Sequence, residues 1–322
     1  MEEFKYLIPE ESMDTMMNQV SSLREIEGHL RHVFNEHGYL EVLTPSFEYV
    51  DLYNDMDIGI EEEKLFQYIN HEGKHIALRA DFTVPLARLY STKHEKGIQR
   101  YSYFGSVYRR EKKHKGRNNE FFQAGIELLG NPGELGDHEC LNIIQETLSC
   151  LKLKDVKIEM SSAKFYKRLC DLVEDDSFVE ILKMRSISAM EELIQRKQIQ
   201  SPLKDLLIAL PGCFGTIDML NQMIDIISDQ ELKDALIELR TLYHQLDQKE
   251  YFSFDLAMTP SMTYYTGLMI KGYCLSCAET IINGGRYDKL MNHFHQDVPA
   301  IGFSYNLTQI LKALEKEEDC CD

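Results

Sequence analysis

The clearest pattern in the chain is an alternation of apolar and polar positions between residues 120 and 129. The apolar positions are Phe122, Ala124, Ile126 and Leu128, and the positions between them are Gln123, Gly125 and Glu127. Successive side chains of a strand point to opposite faces, so the pattern predicts a strand with one face in the core. On the other face an amide and a carboxylate flank a glycine. This face is either a floor for a small polar ligand, with an open gap at the glycine, or an ordinary solvated strand face.

Other segments show equally regular spacing. Apolar residues from Leu23 to Phe34 recur at helical intervals and predict a helix within residues 9–37, capped by Ser12 or Asp14 and ending near Gly38. Residues 39–45 read as a strand closed by Pro45. Further strands are predicted at residues 64–69, 75–79, 100–108, 156–160 and 251–256, and a helix at residues 137–151. Helical patterns without a cluster of catalytic residue types fill the region from about 164 to 249.

A basic segment follows the strand at residues 100–108. Residues 109–117 hold six Lys or Arg in nine positions. Such a loop suits a carboxylate or phosphate, which the guanidinium of Arg109 can grip at two points. The candidate anion-binding residues are Arg109, Lys112, Lys113, Lys115 and Arg117. The alternative is a solvated hairpin tip.

Composition narrows the classes of function. The 322 residues include 35 Lys or Arg and 53 Asp or Glu, a formal net charge of −18, so most of the surface repels nucleic acid. A hydrophobic content of 43% can fill one large domain or two smaller ones. No stretch approaches the roughly 18 consecutive apolar residues of a membrane helix. The N-terminus lacks a basic-then-apolar signal, so we expect a cytoplasmic protein without membrane contact.

The eight cysteines predict no metal site. Cys274 and Cys277 form a C-x-x-C with His293 and His295 nearby, but a second ligand pair at zinc-finger spacing is missing. If the flanking residues form a strand, the two cysteines also point to opposite faces. We expect reduced thiols and no cofactor.

The alternating strand belongs to a longer motif with a family resemblance. Phe104-Gly105, Tyr108-Arg109, Glu111, Gly116-Arg117 and the polar positions Gln123, Gly125 and Glu127 resemble motif 2 of class II aminoacyl-tRNA synthetases, most of all histidyl-tRNA synthetases. Further matches follow in order: the first helix and strand to motif 1, residues 263–270 with Tyr264-Tyr265 to the histidine-specific motif, the string 283–288, and residues 298–305 to motif 3.

The resemblance implies an α+β fold, a class II synthetase-like antiparallel sheet flanked by helices. It also implies a homodimer formed through motif 1. The implied divisions are a first part of the core at residues 1–163, an all-helical insertion at 164–249, and a second part of the core at 250–322.

The chain departs from the synthetase pattern within motif 3 and the histidine-specific motif. Gln309 stands where the family has an Arg that grips ATP phosphates, and Pro260 stands where it has an Arg that stabilises the forming adenylate. Thr263 replaces an Asp. A guanidinium aimed at developing charge is worth on the order of a hundredfold in rate, so we expect adenylation to be disabled. The chain also has no residues after motif 3 to build an anticodon-binding domain, and tRNA is not expected as a partner.

The residue types that would hold free histidine are nevertheless present. By the resemblance, the candidate ligand-binding residues are Asp81, Thr83, Arg109, Gln123, Glu127, Tyr264 and Tyr265. Carboxylates suit the ammonium, Arg109 the carboxylate, and Tyr or Glu the imidazole. Asp81 stands where synthetases carry a Glu.

A retained pocket without its chemistry resembles the regulatory subunits of ATP phosphoribosyltransferase, which are histidyl-tRNA synthetase paralogues without the anticodon domain. The resemblance implies a non-catalytic subunit that partners a short catalytic subunit in the first step of histidine biosynthesis, with L-histidine as feedback effector. Two alternatives stay open: a ligase that adenylates an amino acid without tRNA, indicated by Arg109, and a scaffold with a vestigial pocket. The sequence leaves open whether inhibitory histidine sits in the pocket or between subunits.

Overall fold

The structure is a computed structural model that describes residues 7–9, 11–54, 60–93, 96–110, 118–277 and 279–319. The helices are α1 Met17–Glu36, α2 Asp51–Asn54, α3 Thr83–Thr92, α4 Gly133–Leu148, α5 Ala163–Val173, α6 Ser177–Met184, α7 Ile187–Lys197, α8 Leu203–Ala209, α9 Ile217–Ile226, α10 Gln230–His244 and α11 Leu307–Asp319. The strands are β1 Leu40–Glu41, β2 Phe47–Tyr49, β3 Gln67–Ile69, β4 His75–Leu78, β5 Gln99–Tyr108, β6 Glu120–Leu129, β7 Lys157–Ser162, β8 Phe214–Gly215, β9 Phe252–Asp255, β10 Leu268–Tyr273, β11 Ile282–Arg286 and β12 Ala300–Asn306. Short 3-10 helices lie at Glu62–Lys64, Ser149–Leu151, Leu210–Gly212, Lys249–Tyr251 and Asp288–Phe294.

A nine-stranded sheet organises the molecule, in the order β1-β5-β6-β12-β11-β10-β7-β9-β8. All neighbouring pairs are antiparallel except β1 with β5 and β7 with β9. A separate three-stranded sheet has the order β2-β4-β3. This mixed α+β architecture with a mostly antiparallel sheet confirms the predicted fold class.

Strand β6 divides its side chains as the alternation predicts. Ala124, Ile126 and Leu128 are fully buried in the larger hydrophobic core, which includes residues of α1, α4 and α11. A second core cluster lies under α3 and includes Tyr103 of β5. The polar positions of β6 therefore lie on the face of the sheet away from the larger core.

The predicted start of the first helix and the predicted end of the first strand are wrong. Helix α1 begins after Met16, not at Ser12 or Asp14, because the Gln19 side chain accepts a hydrogen bond from the Met16 N–H at 3.1 Å. The first strand has only two residues instead of continuing to Pro45. The carbonyl oxygens of Thr44 and Pro45 accept hydrogen bonds from Arg79 Nη1 at 2.8 and 3.3 Å, which draws this stretch out of the sheet.

The region between residues 164 and 249 is not entirely helical. Helices α5 to α10 dominate it, but strand β8 pairs with β9 and forms one edge of the large sheet. Residues 164–249 are thereby joined to the rest of the chain through the sheet as well as through helix packing. Within the described ranges, no helix combines the length and apolar character needed to cross a bilayer.

Candidate functional site

A cavity of about 370 Å³, here called the central cavity, lies over the polar face of the large sheet. It is bounded by the start of α3, by β5, β6, β11 and β12, and by the segment before β10. The structure brings all seven predicted ligand-binding residues to its wall: Asp81, Thr83, Arg109, Gln123, Glu127, Tyr264 and Tyr265. Of the predicted anion-binding set only Arg109 can be placed, because Lys112, Lys113, Lys115 and Arg117 lie outside the described residues.

Glu127 lies at the floor of the central cavity and is 2% exposed. Its carboxylate accepts hydrogen bonds from the Thr83 hydroxyl, at 2.6 Å, and from the Tyr287 hydroxyl. Burial raises the pKa of Glu127 to about 8, and the two hydroxyl bonds only partly oppose that effect. Near neutral pH the side chain can therefore either donate or accept a hydrogen bond to a ligand.

Asp81 contributes a second buried carboxylate and is 4% exposed. One oxygen accepts a hydrogen bond from the Val84 N–H at 3.4 Å, while the other, Oδ1, has no hydrogen-bond partner among the described residues. Burial raises the pKa of Asp81 to about 6, although the positive charge of Arg109 lowers it. A buried, unpaired oxygen of this kind is costly unless a ligand donor satisfies it.

Arg109 lies near Asp81 and is held by a hydrogen bond and a ring contact. Its Nε donates to the Ala80 carbonyl at 2.7 Å, and its guanidinium lies 5.5 Å from the centroid of the Phe121 ring. The described lining of the central cavity holds Arg109 as its single Lys or Arg, against the carboxylates of Asp81, Glu127 and Glu279. The cavity is thus suited to a ligand with at least one positive group and one carboxylate.

Three tyrosines form an aromatic wall. The ring of Tyr264 contacts those of Tyr265 and Tyr287 edge to face, with centroids 5.5 and 5.7 Å apart. Tyr287 was missed as a site residue by the sequence reasoning. The string Asn283-Gly284-Gly285-Arg286-Tyr287-Asp288 drew attention to this segment, but only the fold shows that the Tyr287 hydroxyl, directly after β11, reaches Glu127.

The predicted ligand gap at Gly125 is wrong. A Cβ at this position would collide with the Tyr103 hydroxyl and the Phe303 carbonyl, so these two groups already occupy the space. The Tyr103 ring stacks on Phe82 with centroids 4.3 Å apart, and its hydroxyl lies over Gly125 on the neighbouring strand β6. Gly125 therefore serves packing against Tyr103, and it is not among the residues that line the central cavity, whereas Asp81 and Glu127 are.

The positions that depart from the synthetase pattern fall in different places. Gln309 lines the central cavity and accepts a hydrogen bond from the Cys277 thiol at 3.4 Å. Thr263 lines a neighbouring cavity instead. Pro260 is not among the described residues that line the central cavity. Arg286 belongs to the Gly-Gly-Arg-Tyr-Asp string. Its guanidinium forms ion pairs with Asp137 at 2.8 Å and with Asp288 at 3.0 Å.

The C-x-x-C lies in a turn after β10, where the Cys277 N–H donates to the Cys274 carbonyl at 3.2 Å. The expectation that a strand would point the two thiols apart therefore does not apply. A search of the described residues finds no group of three His, Cys, Asp or Glu side chains that could hold a metal ion.

The fold places the chain among histidyl-tRNA synthetase-like proteins. The family model described as histidyl-tRNA synthetase matches residues 12–310. A crystal structure of an ATP phosphoribosyltransferase regulatory subunit/histidyl-tRNA synthetase from Bacillus halodurans C aligns with a TM-score of 0.87 and 26% identity, over 97% of this chain and 84% of that one.

Relatives that are similar over nearly the whole length of the chain identify its family more closely. An ATP phosphoribosyltransferase regulatory subunit from Lactococcus lactis subsp. cremoris (strain SK11) is 42% identical, over 98% of this chain and 100% of the relative. One from Bacillus mycoides (strain KBAB4) is 30% identical, over 99% of this chain and 78% of the relative. The chain belongs to the family of ATP phosphoribosyltransferase regulatory subunits.

Proposed function

We propose that this chain is a non-catalytic regulatory subunit that assembles with the short catalytic subunit of ATP phosphoribosyltransferase and binds L-histidine in the central cavity as a feedback effector. The observation that carries the proposal is the unpaired oxygen of buried Asp81 beside Arg109, 4% exposed and facing the cavity. An amino acid supplies what these two side chains need, because its ammonium can satisfy Asp81 and its carboxylate can take the guanidinium of Arg109.

The rest of the cavity suits an imidazole. The Glu127 carboxyl can exchange a hydrogen bond with one ring nitrogen, and the Tyr264 hydroxyl can bond the other, while the tyrosine rings cover the imidazole faces. A ligand with an apolar side chain would leave the buried Glu127 carboxyl without a partner for its remaining lone pairs. Such an unmatched polar group is what allows a site to reject close analogues.

Absence of catalysis is part of the proposal. A triphosphate needs several positive groups, and the described wall of the central cavity offers Arg109 against three carboxylates. Gln309, in the place of the family's phosphate-binding Arg, is neutral and accepts a hydrogen bond from Cys277. We therefore expect the chain to bind histidine without forming an adenylate.

The proposal also includes a homodimer, formed through α1 and the strands that follow it. Large apolar side chains are exposed there, at Leu40, Leu43, Phe47, Tyr49, Tyr68 and Ile69. Several large apolar side chains exposed on the same few elements are typical of a protein interface. With a net charge of −18 we expect no binding to tRNA, and we place the complex in the cytoplasm.

Calorimetric titration of the purified chain with L-histidine, with ATP titrated in parallel, tests the proposal. We expect histidine to bind and ATP not to bind. Asp81→Asn should weaken histidine binding about tenfold or more, because the ammonium loses a charged partner. Asp205→Asn, at an exposed acid that does not line the central cavity, is the matched control and should bind as the parent does.

The outcomes separate the alternatives. Tight ATP binding, together with histidine-dependent exchange of pyrophosphate into ATP, would instead support a ligase that adenylates an amino acid. Normal activation of the catalytic subunit without any effect of histidine, on the isolated chain or on the complex, would support a scaffold with a vestigial pocket.

A further inference from the structure

A different cavity, here called the Lys271 cavity, has a volume of about 400 Å³ and lies where the end of α6 meets β7, β9 and β10. Four cationic side chains line it: Lys157, Lys183, Arg185 and Lys271. Two carboxylates, Glu159 and Asp255, also line it. The lining therefore has an excess of two positive charges.

This excess is unusual within the molecule. The chain as a whole carries a net charge of −18. Four other cavities found in the described part of the chain are each lined by at least as many carboxylates as cations. A concave, low-dielectric surface of one sign concentrates ions of the opposite sign. Small anions should therefore accumulate at the Lys271 cavity rather than elsewhere among these cavities.

Lys271 is a half-buried cation in the wall of this cavity. It lies on β10, directly opposite Glu159 of β7, and is only partly exposed. Among the described residues, its ammonium donates a hydrogen bond of 3.3 Å to the Thr259 carbonyl and forms no ion pair within 4.0 Å with a carboxylate. Burial lowers the pKa of Lys271, although the carboxylates of Asp255 and Glu159 act in the opposite direction.

The other cations of the cavity are only partly compensated by carboxylates. Asp255 is matched by an ion pair with Arg185 and also accepts the Ala257 N–H at 3.1 Å. Lys157 donates to the Glu250 carbonyl at 2.6 Å, which leaves its charge uncompensated. Lys183 pairs with exposed Glu180 at 2.6 Å, an interaction of the surface type that a stronger anion can displace.

We propose that the Lys271 cavity is a binding site for a small phosphate ester, with the phosphate held by Lys271 and the neighbouring cations. A phosphate monoester carries about two negative charges near pH 7, which matches the excess of two cations. The Tyr273 ring, Met258 and Leu182 line the same space and offer an apolar wall for the organic part of the ester. A bare phosphate would leave this wall without a partner.

The position of the site gives it a mechanical consequence. Leu182, Lys183 and Arg185 belong to the insertion, whereas Lys271 and Tyr273 belong to the core sheet. A phosphate bound between them would join the two parts. Tyr273 also lines the central cavity, so the two sites share one side chain.

The probes are ribose 5-phosphate and AMP, with inorganic phosphate and uncharged adenosine alongside. Binding to the full chain is measured by calorimetry and by the phosphorus NMR shift of each probe, at low and high salt. We expect at least one ester to bind more tightly than inorganic phosphate, adenosine not to bind, and affinity to fall with salt. The comparison of the two esters distinguishes a sugar phosphate from a nucleotide.

Lys271→Met removes the central charge and keeps the length of the side chain. We expect it to weaken ester binding about tenfold or more, as loss of a charged hydrogen-bond donor does. Lys167→Met is the matched control, because Lys167 lines a cavity with equal numbers of cations and carboxylates, and it should bind as the parent does. Lys183→Gln, at an exposed position of the Lys271 cavity, should lose affinity a few-fold and serves if Lys271→Met fails to fold.

The proposal is overturned if none of the phosphate probes binds at millimolar concentration. It is also overturned if Lys271→Met, folded by its thermal melting curve, or Lys183→Gln binds the esters as the parent does, or if Lys167→Met loses as much affinity as they do. Lys271 does not line the central cavity, so L-histidine binding should persist in Lys271→Met. Loss of the phosphate site therefore leaves the proposed histidine site untouched, and the two proposals fail separately.

Discussion

At the scale of single residues, the central cavity is defined by two carboxyl groups that are buried close to each other. The charge of Asp81 adds to the burial that raises the pKa of Glu127. Arg109 acts mainly on Asp81, where its charge lowers the pKa. The two acids therefore prefer different states near neutral pH, with Asp81 ionised beside its cation and Glu127 holding a proton. This division suits a ligand with an ammonium at one end and a hydrogen-bonding ring at the other.

The raised pKa of Glu127 predicts how stability depends on pH. A carboxyl group whose pKa is about 8 when folded, against an ordinary value of 4.5, binds its proton more tightly in the folded state. The free energy of unfolding should therefore fall as pH rises from about 4.5 to about 8. Glu127→Gln should remove much of this decline and stabilise the ligand-free chain at pH 8, by on the order of a few kcal/mol at most.

Urea unfolding at several pH values between those limits measures the effect. Glu120→Gln, at the exposed start of the same strand, is the control and should keep the slope of the parent. An equal slope for the parent and Glu127→Gln would mean that Glu127 is ionised in the folded chain at neutral pH.

At the scale of elements, the β5–β6 hairpin explains both what the sequence could predict and what it could not. The alternation in β6 predicts which side chains enter the core, because burial on a strand has a period of two. The partner that fills the space above Gly125 comes from β5, and the residue opposite in register is Tyr103. Nothing in the spacing of β6 reports the length or direction of a side chain on its neighbour. The sequence does not predict the Lys271 cavity for the same reason, because its cations come from segments far apart in the chain.

Gly125→Ala tests the assignment of Gly125 to packing. The added methyl group would overlap the Tyr103 hydroxyl and the Phe303 carbonyl, and we expect a loss of stability of roughly 1–3 kcal/mol in chemical unfolding. Tyr103→Phe removes the hydroxyl and should relieve part of that loss when combined with Gly125→Ala.

Gly212→Ala is the control, because a Cβ at Gly212 meets nothing within 4 Å. Its stability should stay close to that of the parent. If Gly125→Ala is as stable as the parent and weakens only histidine binding, the space at Gly125 belongs to the ligand after all.

At the scale of the whole molecule, the apolar surface and the charge have opposite effects on association. The net charge of −18 keeps identical chains apart, so a dimer must gain enough from apolar burial to overcome that repulsion. The exposed side chains around β1 and the three-stranded sheet can supply it. Leu43 is 83% exposed and Leu40 71%, and the rings of Phe47 and Tyr68 contact each other with centroids 6.1 Å apart.

Leu43→Glu should therefore dissociate the proposed homodimer. It places a charge in the proposed interface, where desolvation and like-charge repulsion both oppose association. Sedimentation equilibrium should show a dimer for the parent and a monomer for the variant at micromolar concentration. Ile187→Glu, at a 55% exposed position of the insertion, is the control and should remain dimeric. A dimeric Leu43→Glu would place the interface elsewhere.

Regulation of a partner requires that the effector bind two states of the complex with different affinities, since equal affinity shifts no equilibrium. If histidine acts through the central cavity, Asp81→Asn should leave activation of the catalytic subunit intact and raise the histidine concentration needed for inhibition about tenfold or more. The measurement is the transferase rate of the co-purified complex across histidine concentrations, with Asp205→Asn as the control. Unchanged inhibition in Asp81→Asn would place the inhibitory histidine outside this cavity, for instance at a subunit interface. Because activation is read in the same assay, a variant that merely fails to assemble is recognised by its loss of rate without histidine.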